Sequence, residues 1–108
     1  MSSPIILPET CRLIDAQERA SQSLHRFHVP TPLQISRVRR DSLVKIGIEY
    51  PMDEHGNSGE RFWVQVYEIL PNGCYIGRVE NGLVCGHRHS VVQGDMIQFC
   101  KEHILATE

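Results

Sequence analysis

The chain has 108 residues, 41% of them hydrophobic and 22% charged, with a formal net charge of −2. That is enough chain for one domain with a buried core, and the composition excludes a disordered or membranous class. The slight acidic excess also counts against a protein that grips nucleic acid through many phosphate contacts.

The longest apolar run, Pro4-Ile5-Ile6-Leu7-Pro8, falls far short of the roughly 20 residues that span a bilayer. It has neither the basic flank nor the cleavage site of a secretory leader. The expectation is a cytoplasmic protein without a membrane role. In that compartment the four cysteines, Cys11, Cys74, Cys85 and Cys100, are expected as reduced thiols.

Residues 1–10 read as an extended arm whose Ile5-Ile6-Leu7 can dock on the body or on a second copy in a homodimer. Residues 11–108 read as a single domain. It begins with a helix, because Leu13, Ala16, Ala20, Leu24 and Phe27 recur at three- and four-residue steps. Asp15-Ala16-Gln17-Glu18 has the form of a capping box, and Thr10 is the alternative cap. Pro30 and Pro32 end the helix. Pro30 to Asp41 is expected as a connector with a short extended piece at Leu33-Gln34-Ile35.

The period then changes. Val44, Ile46, Ile48 and Tyr50 alternate with Lys45, Gly47 and Glu49, which predicts a half-buried strand. A polar loop over Pro51–Gly59 precedes a central strand over Glu60–Ile69. Pro71-Asn72-Gly73 is a hairpin turn leading into a strand over Tyr75–Val79. Asn81-Gly82 marks a further turn before a short strand at Leu83–Cys85. Met96–Cys100 is the fifth strand, and Lys101–Glu108 a terminal strand or turn. A helix followed by strands is an α+β pattern. The expected architecture is an N-terminal helix packed on a strongly bent antiparallel sheet of about five strands, a half-barrel in form.

Four groups of residues invite chemistry. Cys85, His87 and His89, if on a strand, project from one face and offer zinc ligands, with Cys100 and His103 as further donors. The spacing matches no zinc finger or ribbon, and a turn with surface histidines beside a buried cysteine explains it equally. The same Cys85–histidine and Cys100–His103 pairs could serve nucleophilic catalysis, although a free cysteine is more often a small core residue. Arg37, Arg39 and Arg40 form a basic cluster. With Trp63, Tyr67 and Tyr75 as stacking surfaces they would suit a single-stranded nucleic acid on a small barrel; otherwise they are a solvated connector and core aromatics. His25 and His28 have metal-compatible helical spacing, and a helix-end role fits them as well. The glycines sit singly at turns and form no phosphate loop. Glu60 and Glu68 share a strand without any mark of a catalytic pair. No cofactor is expected.

Certain segments resemble a known family. Leu43-Val44-Lys45-Ile46, Gly59-Glu60-Arg61-Phe62-Trp63-Val64, Tyr75-Ile76-Gly77 with Asn81, and Gly94-Asp95-Met96-Ile97-Gln98-Phe99 with Ile104 are similar to the YegJ-like bacterial family, domain of unknown function 2314. The likeness covers roughly Asp15 to Ile104. Family members often end in Asp-Trp where this chain has His103-Ile104-Leu105, and the segment after Asn81 lacks a usual proline. The resemblance implies a helix ahead of the strands and no assignable catalytic residues. The leading functional expectation is a non-enzymatic protein-interaction module of accessory, immunity or counter-defence type, with Arg37, Arg39, Arg40 and Trp63 as contact residues. The alternatives are a small-molecule or metal site at Cys85, His87 and His89, or a single-strand nucleic-acid binder.

Overall fold

The alternation over residues 43–50 is realised as a strand, and everything else is arranged around it. The computed structural model of the chain describes residues 3–22 and 29–108. In chain order its elements are β1 (Arg12–Leu13), α1 (Ala16–Gln22), α2 (Pro32–Ser36), β2 (Leu43–Glu49), β3 (Gly59–Ile69), β4 (Cys74–Val79), α3 (Gly86–His89), β5 (Met96–Cys100), a 3-10 turn at Lys101–His103, and β6 (Ala106–Thr107).

The sheet is antiparallel throughout and runs β1-β2-β3-β4-β5. β3 pairs along the whole length of β2, from Leu43 opposite Gln65 to Glu49 opposite Gly59. The other edge of β2 is shared. β1 takes Ile48 and Glu49, while β6 takes Val44 and Lys45. Because β6 follows β5 after a single 3-10 turn, this last pairing brings the sheet round on itself into a nearly closed barrel. Closure by short strands leaves little open edge for another chain to pair with.

Val44, Ile46, Phe62, Val64, Ile97 and Phe99 point inward and are almost wholly buried. Tyr75 and Phe99, directly opposite in the β4–β5 register, stack with ring centroids 5.3 Å apart. The inside is tight at Gly77. A methyl group there would collide with Val64 Cγ1 and sit 2.8 Å from the Gln65 carbonyl oxygen. Backbone cannot yield as a side chain does, so Gly77→Ala is expected to lower stability by about 2 kcal/mol, read from the denaturant midpoint. An unchanged midpoint would mean that β3 and β4 separate freely at this point.

A second, smaller apolar cluster of Ile14, Ala16 and Leu105, with Val29 beside them, lies outside the barrel, and Ile14 and Leu105 cover Gly47. The arm lies along the body: the Ile5 amide donates to the Met96 carbonyl (2.9 Å), and Ile5 and Leu7 pack against the core. Glu49 receives both Arg12 and Arg19, tying β1 and α1 to β2.

Several expectations are corrected. Leu13 belongs to β1 and not to the helix. The helix starts at Ala16, with the Asp15 carboxylate accepting the Glu18 amide at 2.9 Å, so Asp15 is the cap. α1 meets the 3-10 turn at Lys101–His103. Leu24, His25, Phe27 and His28 lie outside the described residues. The segment expected as extended at Leu33–Ile35 is the helical turn α2. Thr31 and Gln34 form a reciprocal capping box and Pro32 occupies its first turn, a position where proline starts a helix as readily as it ends one. Leu83–Cys85 is not a strand; it is a loop leading into α3. Finally, Cys74 and Cys100 are joined in a disulfide, against the expectation of four free thiols. They face each other as the first residue of β4 and the last of β5. Cys11 and Cys85 are free and buried. No helix among the described residues is long and apolar enough to cross a membrane.

Candidate functional site

The densest polar cluster forms where α3 meets the start of β3. Cys85 caps α3 and Ser90 ends it in the left-handed region (φ 65°), a compact turn that folds His89 inward until its side chain is wholly buried. The ring is held at both nitrogens. Nδ1 accepts the Val91 amide at 3.0 Å, so Nε2 carries the proton and donates to Glu60 Oε1 at 2.8 Å. Glu60 also accepts the Val84 amide on Oε2 (2.8 Å) and the Cys85 amide on Oε1 (2.9 Å). Burial pushes the Glu60 carboxyl up, but the His89 ring and these two amides outweigh it, and the net shift is downward. Glu60 is therefore ionised at neutral pH.

Tyr50 roofs this cluster. Its ring lies 6.2 Å from His89, and the Arg88 guanidinium stands 5.6 Å from its centroid while also donating to the Pro51 carbonyl. The buried hydroxyl reaches hydrogen-bond geometry with no group among the described residues, the adjacent Cys85 thiol included. The neighbouring Cys85 thiol, followed by burial, pushes the phenol up to about 12.

The arrangement is chemically closed. A general base needs a free lone pair, and His89 has none: one nitrogen is bonded to backbone and the other donates to a carboxylate. Cys85 and His89 also join no metal-compatible triplet among the described residues. The premise that Cys85, His87 and His89 share the face of a strand fails, because they lie on and before a helical turn. In the sequence Glu60 stands out only as sharing a strand with Glu68, yet it organises the cluster. Its partners lie 24 to 29 residues away, so no local spacing could reveal it.

The expected contact residues lie elsewhere, on the outer wall of β3 and on the segment around α2. Trp63 lies on the outer wall of β3, directly opposite Lys45, whose ammonium sits 5.5 Å from the indole centroid. Asn81 Oδ1 accepts the Trp63 amide at 2.7 Å. Two and four residues along the strand come Gln65 and Tyr67, with Tyr67 exposed just where a register shift between Val66 and Glu68 bulges the strand. The Arg40 guanidinium donates to the Tyr67 carbonyl at 3.2 Å. Arg37, at the end of α2, lines a neighbouring cleft of about 470 Å³ with Gln34, Val38, Asp41 and Thr107. Arg37, Arg39 and Arg40 are all exposed. Tyr75, by contrast, is buried inside the barrel and offers no stacking surface.

Comparison with known proteins found no matching family model, no similar curated protein and no similar solved structure.

Proposed function

We propose that the chain is a non-enzymatic protein-interaction module that meets its partner through the outer wall of β3. The observation that carries this reading is the strip Lys45–Trp63–Gln65–Tyr67 with Arg40 at its end. Tryptophan, tyrosine and arginine are the residues that most often dominate binding energy at interfaces. The closed state of the Glu60–His89 cluster supports a binding role over a catalytic one. The proposal extends to membership of the YegJ-like bacterial family, a cytoplasmic location, and an accessory, immunity or counter-defence role.

The test is capture of partners from lysate of the source cell, with and without nuclease, by the wild-type chain and by Tyr67→Ala with Arg40→Ala. A stoichiometric protein that survives nuclease and binds the double variant about tenfold more weakly supports the reading. Equal binding by the double variant moves the surface elsewhere. The same strip favours a second reading, single-strand nucleic acid, because two outward aromatics flanked by Lys45 and Arg40 on a small barrel can stack bases. Loss of capture on nuclease treatment selects that reading over the first.

A further inference from the structure

The Cys74–Cys100 bridge ends at a second set of ligand atoms. Cys100, Glu102 and His103 bring a sulfur, a carboxylate oxygen and an imidazole nitrogen within 4.8 Å of one another, and they are the triplet of this kind found among the described residues. The 3-10 turn at Lys101–His103 produces this directly. It folds the chain back immediately after β5, so that His103 Nδ1 accepts the Cys100 amide at 2.9 Å. The Nδ1 lone pair thus faces Cys100, and the neutral ring carries its proton on Nε2. Glu102 and His103 are partly exposed, and each borders a surface cleft beside α1, so these two donors are reachable from solvent. Cys74 supplies a second sulfur, since it is bonded to the first.

We propose that the reduced chain binds one zinc ion through Cys74, Cys100, His103 and Glu102, and that the disulfide is the closed form of this site. Two thiolates, an imidazole and a carboxylate make a four-donor set of the softness zinc prefers. Tetrahedral zinc with sulfur at about 2.3 Å needs its two sulfurs a little under 4 Å apart, a small separation for two cysteines on facing positions of adjacent strands. Opening the site takes two electrons and two protons from a dithiol reductant, which leaves as its own disulfide while Cys74 and Cys100 become thiols. Zinc then displaces the two thiol protons, and His103 Nδ1 exchanges the Cys100 amide for the metal. Oxidation with release of zinc is the reverse. The Cys85–His89 cluster takes no part.

The experiment uses the full chain, reduced with dithiothreitol and desalted under anaerobic conditions, beside the oxidised chain. Each is titrated with Zn²⁺ alone and with Co²⁺ as a spectroscopic probe. The expected result is one equivalent of zinc on the reduced chain and none on the oxidised chain, with a thiolate-to-cobalt charge-transfer band only after reduction. His103→Ala is expected to weaken zinc by at least about a hundredfold, since even an outer partner of a ligand is worth 10–100-fold. Cys85→Ser is expected to leave binding unchanged. Equal binding by oxidised and reduced chains would overturn the proposal. So would no binding by the reduced wild-type chain, or loss of binding in Cys85→Ser with retention in His103→Ala. The wild-type comparison requires no variant to fold.

Discussion

Glu60→Ala is expected to lower the stability of the chain by about 4 kcal/mol at pH 7, the range found when one member of a buried ion-paired or charge-assisted cluster is removed. The deletion orphans three donors together: His89 Nε2 and the amides of Val84 and Cys85. His89 is completely enclosed, so its ring loses its acceptor in a site shielded from bulk water. Glu60→Gln is expected to fall between the wild type and Glu60→Ala. Its carbonyl oxygen, placed where Oε1 stands, can accept from both His89 and Cys85, but its amide group then presents hydrogens to the Val84 amide. Equilibrium urea unfolding of the three chains checks this, and a loss below about 1 kcal/mol in the alanine variant would show that the cluster is wet and loosely held.

The same residue sets a pH dependence. Glu60 titrates below its ordinary value in the folded chain, so as acid is added the unfolded state takes up the proton first. Its stabilisation is complete above the ordinary carboxylate range and is lost as pH falls through the lowered folded-state value. Glu49, drawn down by Arg12 and Arg19 against the upward push of burial, acts in the same direction. The wild-type chain should therefore lose stability below about pH 4.5 more steeply than Glu60→Ala, and the difference between the two curves isolates Glu60.

The sheet was legible where side-chain alternation and turn chemistry agree. Val44, Ile46 and Ile48 do face inward, and Gly73 does adopt the positive φ (84°) expected of the Asn72-Gly73 turn. Misreadings arose where one residue type carries two meanings. Pro30 and Pro32 carry the signature of helix breakers, but Thr31-Pro32-Leu33-Gln34 also spells a capping box with proline in its first turn. Leu83-Val84-Cys85 looked like a strand because a short apolar run does not specify its own geometry; in the fold, the Val84 and Cys85 amides are bound by the Glu60 side chain and not by a neighbouring strand. Closure of the barrel was beyond local patterning, since it depends on two residues at each end of the chain sharing one edge of β2. The candidate site was less legible still. Sequence spacing pointed to Cys85, His87 and His89 as neighbours in a row, while the contacts that matter run across the fold from Glu60 to His89 and from Cys74 to Cys100. One signal for the bridge was present: the first residue of one strand and the last of its antiparallel neighbour stand opposite each other when both strands have similar length.

Removing that bridge is expected to cost about 3.5 kcal/mol, the loss of chain entropy when a loop of 26 residues is closed in the unfolded state. Two chains should show it: the wild type under dithiothreitol, and Cys74→Ala with Cys100→Ala under oxidising conditions. The closed loop contains α3 and His89, while Glu60 lies outside it, so the bridge and the Glu60–His89 bond hold the same segment against the barrel from two sides. Loosening the segment by reduction should make the effects of Glu60→Ala and of bridge removal deviate from simple addition, which a double-mutant cycle measures. Zinc separates the two ways of losing the bridge. Added to the reduced wild-type chain, it should raise the urea midpoint back toward that of the oxidised chain, because a ligand bound only by the folded state stabilises it by mass action. Added to the double alanine variant it should do nothing. Recovery in both chains would locate the ion elsewhere, and recovery in neither would leave the bridge as a covalent tie alone.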